Sequence, residues 1–302
     1  MNEDDWKVLL GRIQDGKVTP FLGAGVNYRV LPLGGQIARE WAEAEHFPLR
    51  SSDDLATVAQ FIAVKYEDPM RPKEEILKRI GRESRPDFSQ PDDRLTCLTA
   101  LAGLPLPVYL TTNYDDLMVE ALRHADPKKN PRREVCRWHA GLKALPSIFA
   151  AGARYQPDHA NPVVYHLHGS DQYVESLVLT EDDYLDFLVN VSRNQKILPA
   201  RIQQALTDAS LLFVGYRLKD INFRVIYRGL VQGMEGSLRR LSVTVQMTPP
   251  EDHAGNPEAA EKFMNDYYKE LKVKVFWGTA AQFAQELRDR WKGFCEGNAA
   301  SQ

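Results

Sequence analysis

The chain has 302 residues, of which 43% are hydrophobic, 10% aromatic and 26% charged, a mix that can bury a sizeable core. It excludes a disordered, collagen-like or disulfide-stapled chain. With 38 Lys+Arg against 41 Asp+Glu the formal net charge is -3, so no global basic field draws nucleic acid, and no direct nucleic-acid binding is expected.

Lys17-Val18-Thr19-Pro20-Phe21-Leu22 is a short apolar segment running into Gly23-Ala24-Gly25, and Gly34-Gly35 precede a helical pattern on Ile37, Trp41 and Ala44. This order predicts a strand, a glycine turn and a helix. Residues 51–101 keep a helical period broken by Pro69, Pro72 and Pro91, with Ser51 or Ser52 as the N-cap before Leu55, so an inserted, mainly helical block is expected at about residues 36–105. Pro107-Val108-Tyr109-Leu110-Thr111-Thr112 reads as a second strand, with Asn113 at its tip and a helix headed by Asp115. Val163-Val164-Tyr165-His166-Leu167-His168-Gly169 repeats the pattern of an apolar strand with a polar end, and residues 181–189 are again helical. Ser210-Leu211-Leu212-Phe213-Val214-Gly215-Tyr216 is the clearest buried strand, followed by a helix over about 219–230. Residues 241–245 and 272–276 are later strands, the second leading into a helix with Phe283, Leu287 and Trp291 on one face. Strands alternating with helices predict an α/β chain with a doubly wound, mainly parallel sheet, whose ligands lie outside the carboxyl ends of the strands. No internal repeat or low-complexity tract is present; weak composition breaks fall at residues 126–131 and 249–252.

Cys97, Cys136 and Cys295 stand far apart, with no CxxC pair to build a zinc or redox site, and read as buried or inert thiols. No metal is expected. No apolar run approaches the about 20 residues that span a bilayer, and the acidic start Met1-Asn2-Glu3-Asp4-Asp5-Trp6 lacks the basic and apolar regions of a secretory signal. A cytoplasmic protein without membrane contact is expected.

The residues at the strand tips carry the candidate chemistry. Gly23-Ala24-Gly25 permits a tight turn and close backbone approach to a phosphate, or is only a turn; the dinucleotide fingerprint G-x-G-x-x-G/A fails at Tyr28. Asn113 and Asp115 fit a helix N-cap; the functional alternative is an Asn amide that holds a water or a ribose hydroxyl. His166 and His168 alternate along a strand without carboxylate or Cys partners at ligand spacing. His168, followed by Gly169, is expected as an exposed base near neutral pH, and His166, one pleat deeper, as a hydrogen-bonded core histidine.

Taken together, Gly23-Ala24-Gly25, Thr112-Asn113-Tyr114-Asp115 and His166-Leu167-His168-Gly169-Ser170 resemble the three sirtuin signatures, whose forms are GAG, QN-x-D and HG. Phe213-Val214-Gly215-Tyr216-Arg217-Leu218-Lys219-Asp220 resembles the G-[YF]-x-x-x-D segment of the bacterial SIR2-like branch, and residues 275–283 its closing strand and helix. The resemblance spans residues 15–290. The three isolated cysteines cannot build the four-cysteine zinc module of sirtuin deacylases, and Thr112 stands where those enzymes have Gln; both features match the SIR2-like NAD hydrolases of bacterial antiphage defence.

The resemblance implies a Rossmann-like fold, one SIR2-like domain over residues 1–302, and NAD as substrate, cleaved to nicotinamide and ADP-ribose so that cellular NAD is depleted. It implies His168 as base, Asn113 as the water-positioning residue and Asp115 orienting the ribose or the Asn. The pyrophosphate is expected on the N–H groups of Gly23, Ala24 and Gly25, with Thr112, Gly215, Tyr216 and Asp220 also binding the dinucleotide; for Asp220 a helix N-cap fits as well. A homo-oligomer is implied, and activation by self-association or by a separate protein such as a HerA-like hexameric ATPase or an Argonaute-type protein. An NAD-dependent deacylase or ADP-ribosyltransferase, a non-catalytic NAD- or ADP-ribose-binding module, and an interaction subunit are the alternatives.

Overall fold

The computed structural model describes residues 1–150, 152–216, 242–247 and 256–299. The expected helix at 219–230 and Asp220 lie outside the described residues.

The chain begins with α1 (Glu3–Gln14), which the sequence reading missed. Asn2 caps it reciprocally with Asp5, the first turn is acidic, and Trp6, Leu9, Leu10 and Ile13 point inward. β1 (Val18–Leu22) follows, then α2 (Gly34–Ala44), α3 (Leu55–Lys65), α4 (Arg71–Gly81) and α5 (Thr96–Ala102). The N-cap of α3 is Asp54, which accepts from Ala56 and Thr57 N–H, and not Ser51 or Ser52: the aspartate sits where its carboxylate reaches both amides. β2 (Val108–Thr111), α6 (Leu117–Arg123), β3 (Arg132–Val135), β4 (Val163–His166), α7 (Glu181–Arg193), α8 (Ala200–Thr207) and β5 (Ser210–Val214) come next, then β6 (Ser242–Gln246), α9 (Pro257–Glu270), β7 (Val273–Trp277) and α10 (Ala280–Ala299).

The strands form one seven-stranded sheet in the order β3-β4-β2-β1-β5-β6-β7, and every pairing is parallel. This is the Rossmann-like, doubly wound architecture. β1, β2, β4 and β5 are buried along their whole length because helices cover both faces. α1, α5, α6 and α10 close one face around Trp6, Leu101, Leu122 and Phe283. α7, α8 and α9 close the other around Phe187, Ile202 and Tyr268. Pro20 is tolerated inside β1 because pairing with β2 begins only at Phe21, one residue later. Of the helices between β1 and β2, α2–α4 make small clusters of their own with Leu177 and Leu179, whereas α5 packs on the sheet.

The register sets the position of the site. Val214, Leu22, Thr111, His166 and Val135 are the last residues of five adjacent strands, and they pair with one another in one row across the sheet. All five chains therefore leave the sheet at the same level. Chain order reverses between β1 and β5, and there the two following turns touch backbone to backbone. A Cβ on Gly215, whose φ is +85°, would meet Val26 N at 2.6 Å and Gly23 O at 2.7 Å; one on Gly25 would meet Gly215 Cα at 2.8 Å.

Two Gly→Ala substitutions should therefore move stability in opposite directions. Gly11 lies in the interior of α1 with nothing within 4 Å of an added methyl, so Gly11→Ala should stabilise by about 0.5–1 kcal/mol through helix propensity. Gly215→Ala adds left-handed strain to a backbone collision and should cost roughly 3 kcal/mol or more. Urea titration of both variants measures the difference, and a Gly215→Ala protein as stable as the parent would contradict the packing at the β1–β5 junction.

Candidate active site

Three turns meet above the row of strand ends. The carbonyl of Leu22, last in β1, accepts from Thr112 N at 3.0 Å, from the Thr111 hydroxyl at 3.1 Å and from the Tyr216 hydroxyl at 3.0 Å. Because the Tyr216 proton is spent on Leu22, Tyr216 accepts from the Thr112 hydroxyl, 2.9 Å away. Asn113 Nδ2 donates across to Gly23 O at 3.1 Å. The structure thus brings Gly23, Thr112, Asn113, Gly215 and Tyr216 together. Its use of the glycines differs from the sequence reading: Gly23 N–H donates to Val214 O and Gly25 N–H to Gly215 O, at 2.9 and 3.0 Å. Those two amides are spent on joining β1 to β5 and are not open to a phosphate. The glycines serve close approach, and of the three N–H groups only that of Ala24, at the start of the short 3-10 turn Ala24–Asn27, has no such bond among the described residues.

Asp115 does two things at once. Its Oδ1 accepts from Leu117 N at 3.0 Å, which caps α6, and its Oδ2 accepts from Asn27 Nδ2 at 2.7 Å. Burial pushes its carboxyl up to about 6, against the pull of the Leu117 N–H, and the neighbouring Asp116 and Asp171 add to the rise. Asn27 escaped the sequence reading. It is buried, and its Oδ1 has no hydrogen-bond partner among the described residues. The signal was its place as the one polar side chain closing the turn that begins at Gly23.

The two histidines do not point the same way, as alternation along a strand would require. β4 stops at His166; Leu167 N makes a last ladder bond to Thr111 O at 2.8 Å, and the chain then bends at Gly169, with φ +87°. A Cβ there would stand 2.2 Å from Ser176 O, so the bend is available to glycine alone. His166 keeps its place in the row with Leu22. His168 turns instead to α7, where its ring meets those of Tyr184 and Phe187 at 5.2 and 5.0 Å, both edge-on. It is 2% exposed, not the solvent-facing base expected, and its Nε2 has no hydrogen-bond partner among the described residues. Burial alone pushes its pKa down to about 3, so the ring is neutral at pH 7.

His166 is the hydrogen-bonded core residue expected. Arg133 Nε stands 3.2 Å from its Nε2 and can only donate, so that nitrogen accepts and the proton sits on Nδ1, which donates to Asn113 O at 2.9 Å. Burial and the Arg133 charge push its pKa down to about 3. Among the described residues no group of three His, Cys, Asp or Glu side chains is placed to hold a metal ion, and no helix is long and apolar enough to cross a membrane.

The SIR2-like domain model matches residues 107–272, more than half of the chain, and the chain belongs to that family. NAD(+) hydrolase ThsA of Acinetobacter baumannii (strain 532279) is 21% identical over 313 aligned residues, covering 97% of this chain and 58% of that protein. The protein of the same name from Enterococcus faecium is 26% identical over 233 residues (74% and 42%), and that from Cytobacillus dafuensis 25% over 276 residues (88% and 49%). The chain spans about half the length of the curated relatives it matches.

The buried histidines make the fold acid-sensitive. Between about pH 3 and 6.5 the unfolded chain binds two protons that folded His166 and His168 refuse. Stability therefore falls with pH, by on the order of 2 kcal/mol per histidine at pH 5. Asp115 acts in the opposite sense, because the folded state keeps its proton up to about 6 and the unfolded chain releases it near 3.8; it returns about 1 kcal/mol at pH 5. Urea unfolding at pH 7, 6 and 5 should show a net loss of about 3 kcal/mol, most of the His168 share disappearing in His168→Gln. A flat profile would mean that the imidazoles are solvated.

Proposed function

We propose that this chain is an NAD⁺ glycohydrolase. The observation that carries the reading is the assembly of Asn113, the Asn27–Asp115 pair and the glycine turn above one level row of strand ends. Family membership and the names of the relatives support it. The bond between nicotinamide and ribose breaks through an oxocarbenium-like centre, and the cationic ring leaves as neutral nicotinamide, so little acid assistance is needed. Water adds to the ribose carbon and loses its proton to His168, giving ADP-ribose. Asn113 positions that water, and Asp115 orients the ribose or the Asn113 turn. Ala24 N–H and the side-chain-free approach at Gly23 and Gly25 receive the pyrophosphate. Thr112, Gly215 and Tyr216 line the same junction; Asp220, outside the described residues, is the candidate contact for the adenosine ribose. For His168 to reach water, its contact with Tyr184 and Phe187 must open when NAD⁺ enters.

In this reading residues 1–302 work as one SIR2-like domain with its helical insertion, in the cytoplasm, as a homo-oligomer. Activity is switched on by self-association or by a partner of the HerA-like ATPase or Argonaute type, and NAD depletion serves antiphage defence.

The test is incubation with NAD⁺ alone and together with the protein encoded beside it, with free nicotinamide measured. Asn113→Ala and His168→Gln should each lower turnover by about 10² or more, the scale of general-base catalysis, and the double variant should be little worse than the poorer single one. Glutamine is the better replacement at position 168 because the ring is packed, and alanine there would open a cavity. NAD⁺ binding without nicotinamide release in any state of assembly would instead make this a binding module. Normal release by folded His168→Gln would remove the proposed base.

A further inference from the structure

β3 and the turn after β4 hold a set of contacts that the hydrolysis reading leaves unused. Arg133, on β3, donates from Nε to His166 and from Nη2 both to Tyr114 O at 2.9 Å and to Asp171 Oδ1 at 2.5 Å. Asp171 N donates to the same Tyr114 carbonyl at 2.9 Å, and His166 Nδ1 donates to the preceding one, Asn113 O. Two consecutive carbonyls of the 112–115 turn are therefore gripped from the β3–β4 side. The Asn113 side chain and the Asp115 carboxylate reach the opposite way, to Gly23 and Asn27. Both ring nitrogens of His166 are engaged. Here each has a single permitted role, because a guanidinium that can only donate to one forces the proton onto the other.

We propose that His166, held in one tautomer by Arg133, is a positioning residue that sets the 112–115 turn and through it the place of the Asn113 amide and the Asp115 carboxylate. It touches no substrate. The catalytic part of this inference rests on the NAD⁺-cleavage reading; the grip on the turn does not. Strand β3 then has a function beyond closing the sheet edge, since it supplies the guanidinium that selects the tautomer, and Asp171 keeps that guanidinium in place.

Amide hydrogen exchange on the full chain tests the grip without any activity. In His166→Leu, exchange in the segment 112–117 should rise about tenfold or more while residues 18–22 and 108–111 stay protected, because the loss is a local opening. His166→Asn, which returns an N–H near the Nδ1 position, should restore protection. A uniform rise across the sheet, or none, overturns the proposal. In the activity arm, kcat for nicotinamide release should fall roughly 10–100-fold in His166→Leu with KM within a fewfold, as for loss of an outer-shell partner or a small misplacement. His166→Asn should recover most of it, and His166→Leu should add nothing in an Asn113→Ala background. An unchanged kcat in folded His166→Leu, beside a damaged Asn113→Ala, overturns the proposal and spares the hydrolase reading. A parent chain that never cleaves NAD⁺ removes the hydrolase reading, and the exchange result alone then decides the grip. Should His166→Leu not fold, Arg133→Lys takes its place: it keeps a cation facing Asp171, loses the Nε donor, and must show the same local rise in exchange.

Discussion

One backbone carbonyl, that of Leu22, ties the candidate site to the sheet. It accepts from the Thr112 amide, the Thr111 hydroxyl and the Tyr216 hydroxyl, so the ends of β1, β2 and β5 converge on a single oxygen. That convergence is possible only because the turns after β1 and β5 interpenetrate where no Cβ stands, at Gly23, Gly25 and Gly215. Gly23 O is then left pointing at the Asn113 amide. The level register of five parallel strands supplies the rest, since it delivers His166 to the same height as Leu22 and Thr111.

The site carries three ionisable groups held away from their ordinary behaviour by burial: Asp115 upward, His166 and His168 downward. Near neutral pH both imidazoles are uncharged. The carboxylate has an amide donor from Asn27 and a backbone donor from Leu117, and His166 has partners on both nitrogens. His168 stands apart, with Nε2 buried and without a hydrogen-bond partner among the described residues, at a cost of on the order of 1–3 kcal/mol.

The helical block is coupled to that histidine through α7. Thr57 and Gln60 of α3 bond Glu181 and Asp182 at 2.8 Å each, and buried Lys73 of α4 bonds Asp183 at 2.6 Å. Asp183 also closes the capping box that starts α7, the helix whose Tyr184 and Phe187 cover His168. The contacts that dock α3 and α4 therefore also place the rings over the proposed base, and the position of α7 links the insertion to the site.

Sequence by itself determined β1, β2, β4 and β5, because strands covered on both faces are mostly apolar and stand out as short apolar segments. It also determined which polar residues stand at their tips, and the order of motifs that identifies the family. Charged edge strand β3 was invisible: Arg132, Arg133 and Glu134 carry no apolar run, and only distant partners make them a strand. Glu134 is satisfied by Arg137, Ser147 and Ile148, and Arg133 by His166, Tyr114 and Asp171. Asn27 was legible as a residue but not as the partner of Asp115, 88 positions away. The facing of His168 was decided by tertiary structure alone. Alternation holds only while the chain stays in the ladder, and the contact of Gly169 with Ser176 takes it out one residue too late for His166 and one too early for His168.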